Sequence, residues 1–202
     1  MTDDSRPLSA DFYDRPVTEV AKELLGKVLF RSGRTGMTTG RIVEVEAYLS
    51  QGDSACHAAR GKTAGNQTMF GPPGRAYVYS IHSRYCVNAV TEADGTPSAV
   101  LIRAVDPRLG RKLMVERRGR EKDRELACGP GRLCEAFDID RSLDGWDLSS
   151  GEELWIGKGR LSEDEALFAT PRIGVTSAAD LPFRFCIMGN QFVSGTRALR
   201  GL

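Results

Sequence analysis

The sequence predicts an α+β domain built on a largely antiparallel sheet. Three observations predict it. Strand-like runs come in neighbouring pairs joined by short turns. Helix-like runs are interleaved with those hairpins rather than alternating strictly with single strands. A chain of 202 residues, 41% hydrophobic, suits one core of ordinary size. One domain is expected over residues 12–202, behind a polar, flexible segment 1–11.

From Pro16 to Leu25, Val17, Val20, Ala21, Leu24 and Leu25 recur at helical spacing, with Pro16 suited to a helix start and Gly26 to its stop. Lys27–Arg31 reads as a strand, followed by a Gly-rich turn region, RSGRTGMTTG. Arg41–Ser50 alternates: Val43, Val45, Ala47 and Leu49 share one face, and Ile42, Glu44, Glu46 and Tyr48 the other. The first face is apolar. The second is expected to be wet, and Glu44 fits a solvated position. Residues 50–76 form a long Gly-, Asn- and Pro-containing connection of the kind that is either functional or disordered, and Met69-Phe70 before Gly-Pro-Pro-Gly anchors its end. Ala76–Ile81 and Tyr85–Val90 predict a hairpin turning at His82-Ser83-Arg84, with Tyr77 and Tyr79 on one face. Ser98–Val105 is a further strand with Leu101 and Arg103 on one face; an arginine there is most often exposed. Helices are expected at Asp106–Arg118, Asp123–Cys128 and from Gly129-Pro130-Gly131 through Phe137. The last of these starts with backbone N–H groups that can hold a phosphate or simply be solvated. The acidic block up to Glu165, with Trp146 and Trp155, reads as surface structure. Late strands are expected at Arg172–Val175 and Phe183–Met188.

The net charge of +1 does not announce a polyanion binder, but its distribution is uneven. Residues 103–124 hold nine Lys/Arg against four Asp/Glu, and residues 135–165 three against ten. These are either two solvated faces or an asymmetry that orients the molecule towards a polyanion. Five cysteines without close CxxC spacing, and no secretory apolar segment, predict reduced thiols in a cytoplasmic protein. Neither histidine adjoins a cysteine pair with finger spacing, so no zinc site is expected, and no apolar run approaches membrane-span length.

The informative stretch is Arg41–Asn88. It holds four of the five tyrosines and both histidines, and from Ser54 to Thr91 it contains no Asp or Glu. Aromatics without acids, alongside Arg60, Lys62, Arg75 and Arg84, suggest a surface for an anionic, stackable partner, most simply a nucleic acid.

The runs VEVEAYLSQGDSACH, MFGPPGRAYVY, a Cys-Val-Asn, VLIRAVDP, DRELACGPGRLC and PRIGV, in this order, resemble the animal-type alkyladenine (3-methyladenine) DNA glycosylases. The resemblance spans about Phe12 to Phe192. It implies a single domain with a curved sheet, flanking helices and a protruding hairpin. It also implies a monofunctional enzyme that excises alkylated or deaminated purines, bound to nucleoid DNA in a bacterium. On this resemblance Glu46 is the general base and Arg103 holds it with the water; the Ile173 carbonyl is a further water contact. Tyr48, His57, Tyr79, Asn88 and Leu101 form the base pocket, with Asn88 disfavouring the amine of guanine. Arg84, Met69 and Gly131 contact DNA. The implied partner is double-stranded DNA containing a damaged purine, met by a monomer, with no metal, organic cofactor or membrane. No lysine matches a Schiff-base role.

One block departs from the family. Its hairpin-tip tyrosine is missing, and the tip Ile81-His82-Ser83-Arg84 is one residue shorter. Alignment from Tyr77–Tyr79 gives the wedge position to His82, and alignment back from Asn88 gives it to Ile81; the planar His82 ring suits stacking better. Two rival readings remain: a damage-binding module without chemistry, against which Glu46 and Arg103 speak, and an unrelated hydrolase using Glu44 and Glu46 as a pair at roughly 7 Å on one strand face.

Overall fold

The structure, a computed structural model, describes residues 5–195. Its centre is an antiparallel sheet of eight strands: β1 (Val28–Gly33), β2 (Gly36–Tyr48), β3 (Ala76–Ile81), β4 (Arg84–Thr91), β5 (Ser98–Pro107), β6 (Leu154–Gly157), β7 (Leu167–Thr170) and β8 (Arg184–Ile187). The main path runs β3-β4-β5-β2-β1-β6. The 13-residue β2 is the hub. One edge pairs with β5, and the other pairs first with β1 and then, from Glu44 to Glu46, with β8, onto which β7 is added. A strand that changes partner along one edge makes the sheet branch and curl, as the expected α+β class with a curved antiparallel sheet requires.

Five helices flank it: α1 (Ala10–Tyr13), α2 (Val17–Leu24), α3 (Arg111–Arg118), α4 (Asp123–Ala127) and α5 (Pro130–Phe137). Val20, Ala21 and Leu24 of α2 and Leu133, Cys134 and Phe137 of α5 enter the same apolar core as Val43, Val45, Ala47, Val100 and Ile102. Each large side chain so buried stabilises the fold by about 1.5–3 kcal/mol relative to exposure.

Several expectations change. The MTTG of the presumed turn region belongs to β2, because a hairpin turning at Arg34-Thr35 already satisfies the backbone. Ile42, which strict alternation groups with the glutamates, is fully buried in the apolar core. Register shifts between Ile42 and Val45 mark a β-bulge, which breaks the two-residue period there. The helix expected from Asp106 begins only at Arg111, since Asp106 and Pro107 complete β5 and Leu109 donates its N–H to Thr39 Oγ1. Trp155 is not surface structure: it is buried, stacks on Phe30 at 4.9 Å and donates its indole N–H to the Ser5 carbonyl. The acids around it hid a four-residue apolar strand. From Ser5 the N-terminal segment is also held, with the Leu8 N–H on the Ile156 carbonyl, where its polarity suggested fraying. Arg172–Val175 is an irregular loop, and the strand lies earlier, at β7.

The 50–76 connection is ordered by buried polar side chains. Asn66 accepts from the Thr63 N–H and donates to the carbonyls of His57 and Gly61, closing the loop around a short 3-10 helix, His57–Arg60. At the hairpin tip, His82 and Ser83 are both left-handed (φ 47° and 60°), the conformation that a two-residue loop between twisted strands demands.

Gly110 is left-handed at the start of α3, and a Cβ there would run into the Met37 carbonyl oxygen and Thr38. Gly110→Ala is expected to lower the unfolding free energy by about 2 kcal/mol. Urea unfolding checks this, and an unchanged midpoint would mean that the β2 backbone yields at no cost.

Candidate active site

The register across β2, β5, β4 and β3 sets one row of directly opposed residues: Glu46, Leu101, Asn88 and Tyr77. Opposed residues share a sheet face, as do residues two apart on a strand. Tyr48, Arg103, Cys86 and Tyr79 therefore join the row on the same face. Sequence reasoning named most of them from separate blocks, and strand pairing brings them together.

Glu46 is fully buried and held by two hydrogen bonds and an ion pair. Arg103 Nη1 lies 3.1 Å from Oε1, the Ile173 N–H donates to Oε1 at 2.8 Å, and the Tyr48 hydroxyl donates to Oε2 at 2.9 Å. Ile173, whose carbonyl the family resemblance makes a water contact, meets Glu46 directly through its N–H. Burial and the neighbouring Glu46 push the Tyr48 phenol well above its ordinary pKa, so it serves as a donor at neutral pH.

Glu44 is not wet. It is fully buried and accepts from Arg103 Nε and Arg184 Nε at 2.8 Å each, and from the Ser194 backbone N–H and hydroxyl at 2.6 and 2.7 Å. Burial alone would raise its pKa; Arg103, Arg184 and the Ser194 bonds outweigh that and hold it below the usual carboxylate range. Arg103, which the strand pattern placed among exposed arginines, is buried between the two carboxylates, and they raise its pKa despite desolvation. Arg184, Ser194, Arg172 and Asp53 were missed. A signal existed for Arg184, since an arginine inside the apolar run FRFCIM is either exposed or paired.

The aromatic part forms around the 3-10 helix. His57 Nδ1 and the Tyr77 hydroxyl are 2.9 Å apart, and the His57 ring packs edge-on to Tyr79 at 4.4 Å. Desolvation on that packed side lowers the His57 pKa, leaving the imidazole neutral at pH 7. Tyr77, read from the sequence as a hairpin residue and not as part of the pocket, packs against Tyr79 at 5.3 Å. Asn88 is buried and donates its Nδ2 to the Tyr77 carbonyl at 2.9 Å, which fixes its amide. Leu101 is buried between Glu46 and Asn88.

The outer residues divide. Ile81, His82 and Arg84 are exposed at the hairpin tip. Gly131 lies against Arg84: a Cβ on it would come within 2.9 Å of that side chain. Met69, expected at DNA, is buried in a second apolar cluster with Cys56, Ala58 and Tyr77, because the 3-10 helix Gln67–Phe70 turns it inward. Among the described residues, no group of three or more His, Cys, Asp or Glu side chains is placed to hold a metal ion, and no helix is long and apolar enough to cross a membrane.

The site has relatives. Residues 11–191 match the family model described as methylpurine-DNA glycosylase. A protein of Methanocella arvoryzae is 49% identical over 192 residues, covering 93% of this chain and 95% of its own. One from Chlorobaculum parvum is 45% identical, covering 94% and 91%, and one from Carboxydothermus hydrogenoformans 46%, covering 93% and 98%. Each is provisionally named a 3-methyladenine DNA glycosylase.

Removing the Glu44 charge leaves Arg103 and Arg184 without their shared partner. Glu44→Gln is expected to cost about 3 kcal/mol of stability at pH 7. A carboxylate whose folded pKa is depressed stabilises fully above its ordinary value near 4.5 and loses that contribution as pH falls through the lower folded value. The gap between wild type and variant in urea unfolding should therefore narrow on acidification below pH 4.5. A gap constant down to the acid limit would show that Glu44 contributes nothing through its charge.

Proposed function

The chain belongs to the methylpurine-DNA glycosylase family, and from that premise we propose that it extrudes a damaged purine nucleotide from duplex DNA and hydrolyses its N-glycosidic bond, leaving an abasic site. It is a DNA N-glycosylase. The proposed substrates are 3-methyladenine, 7-methylguanine, hypoxanthine and ethenoadenine. The observation that carries the reading is the buried Glu46, gripped by Arg103, Tyr48 and the Ile173 N–H in the same row as Asn88 and beside an aromatic cluster.

A base inside a duplex is out of reach of such a site, so the nucleotide must leave the stack. The exposed hairpin tip suits the task of filling the gap, with His82 as the wedge, Ile81 beside it and Arg84 at the adjacent phosphates. Tyr48, Tyr79 and His57 supply faces for the flipped purine, and a cationic alkylated base is attracted to such rings. Asn88, anchored on Tyr77, cannot turn away from an amine at the purine 2-position, which disfavours guanine. In the chemical step a water oxygen bonds to C1′ while the bond to the purine nitrogen breaks, and the electron pair leaves with the base. Glu46 orients the water, takes its proton and faces the positive charge that develops on the sugar. Arg103 keeps the carboxylate in place. A neutral His57 offers the base a hydrogen bond rather than a proton. No lysine stands in the row, so no imine and no strand cleavage are proposed.

Purified protein is expected to release a purine from a duplex oligonucleotide carrying one of these lesions, read as alkali-labile sites. No release from any alkylated, deaminated or etheno substrate would sink the enzymatic reading. Glu46→Gln should still bind lesion DNA while its single-turnover rate drops by about 10²–10⁴; a variant as fast as wild type removes Glu46 from the base role and leaves the reaction class standing. His82→Ala should lower excision from duplex DNA more than from a single strand. Equal losses on both would move the wedge to Ile81.

A further inference from the structure

Arg172 lies in the loop after β7, and its side chain and that of Asp53 are both completely buried. The two groups form a fork: Nη1 donates to Oδ2 and Nη2 to Oδ1, each at 2.6 Å. Nη1 also donates to the Ala47 carbonyl at 3.0 Å, on β2 itself. Asp53 in turn accepts the N–H groups of Leu49 and Ala55 at 3.1 Å each. One ion pair therefore ties together the end of β2, the loop that follows it and a loop more than a hundred residues later.

Two contacts run from this pair to the reacting centre. The Arg172 guanidinium carbon sits 4.7 Å from the centre of the Tyr48 ring, the ring whose hydroxyl donates to Glu46. The next residue, Ile173, places its N–H on Glu46 Oε1. Its side chain is 41% exposed, whereas the neighbouring Arg172 is buried and fixed by its ion pair, which gives that amide its firmest anchor. A buried ion pair is poor evidence of stabilisation, because desolvation offsets the attraction. What it supplies is a fixed geometry, since a fork-to-fork pair tolerates one arrangement.

We propose that Asp53 and Arg172 are a positioning pair for the glycosylase reaction. They aim the Ile173 amide at Glu46 and set the Tyr48 ring and hydroxyl, without touching DNA themselves. The proposal rests on Glu46 as the acting carboxylate. A lysine at 172 keeps the charge but not the fork, and an asparagine at 53 keeps the shape but not the charge.

The experiment uses the full chain and whichever lesion duplex the wild type cleaves fastest. Arg172→Lys and Asp53→Asn are expected to lower the single-turnover excision rate by about 10–100-fold, the loss of a hydrogen bond to a charged group. Lesion-duplex binding should change less than threefold. In a Glu46→Gln background neither change should lower the rate further, because the pair acts through that carboxylate. Thermal unfolding of each variant identifies the folded ones, and either variant alone suffices. A loss that falls on binding, or one that adds in full to Glu46→Gln, would overturn the positioning role in favour of a structural one. An active wild type with unaffected variants overturns this proposal alone. A wild type that releases no purine overturns it together with the glycosylase reading.

Discussion

The Glu44–Arg103–Arg184 cluster is the constraint on which the rest of the active face depends. Three charged side chains lie almost wholly out of water where β2, β5 and β8 meet, and two of those strands pair with the same short piece of β2. An unpaired charge there would cost several kcal/mol, so the cluster forms only when the three strands are in register and Ser194 is in place. Register matters because a slip of one residue sends every side chain to the other face. The β-bulge at Glu44 adds to this, letting Ile42 and Val43 both enter the apolar core while Glu44 and Glu46 are buried as well.

The cluster also explains how two adjacent acids are kept from repelling each other. Arg103 spans them, Nε to Glu44 and Nη1 to Glu46, and Arg184 supplies the second positive charge on the Glu44 side. The burial that makes the charges costly also makes the site dry and its dipoles fixed, the condition under which electrostatic stabilisation of a developing cation is strongest. Around this rigid centre Tyr48 ends β2, Tyr79 lies on β3, and loops carry His57 and flank Tyr48. Those loops are pinned by buried polar side chains, Asn66 for the His57 turn and Asp53 with Arg172 for the Tyr48 side. The hairpin tip stands out from this centre, with Ile81, His82 and Arg84 exposed.

Much of this was legible in the sequence. The period-two runs gave the hairpin and β5, and helical spacing gave α2 and α5, because local patterns carry those elements. The candidate site residues Glu46, Tyr48, His57, Tyr79, Asn88 and Arg103 came from family motifs, and for those on strands the pairing register shows why motifs so far apart belong together. What failed did so for physical reasons. Glu44 was read as solvated, and the strand pattern alone put Arg103 among exposed arginines, because burial of a charge depends on a partner 59 residues away. Trp155 was read as surface because acids flank a strand whose burial comes from β1. Arg172–Val175 was read as a strand because its apolar residues look strand-like. The loop forms because Arg172 must reach Asp53. Ile173 then comes to Glu46 through its N–H, a contact that no side-chain pattern encodes.

The geometry also separates the two glutamates. An ionised carboxylate can accept about four hydrogen bonds. Among the described residues Glu44 accepts four, from Arg103, Arg184 and twice from Ser194. Glu46 accepts two, from the Ile173 N–H on Oε1 and the Tyr48 hydroxyl on Oε2, and is ion-paired to Arg103 through Oε1. Three of the Glu44 bonds fall on Oε1 and the Ser194 N–H meets Oε2, and protonating this carboxylate would leave two buried arginines without their shared countercharge, so Glu44 is structural. Glu46 retains one acceptor position, on Oε2 beside Tyr48, the ring proposed to face the flipped base. This asymmetry argues against a symmetric carboxylate pair sharing acid and base work. It favours one acting carboxylate supported by one structural carboxylate, with Arg103 bonded to both.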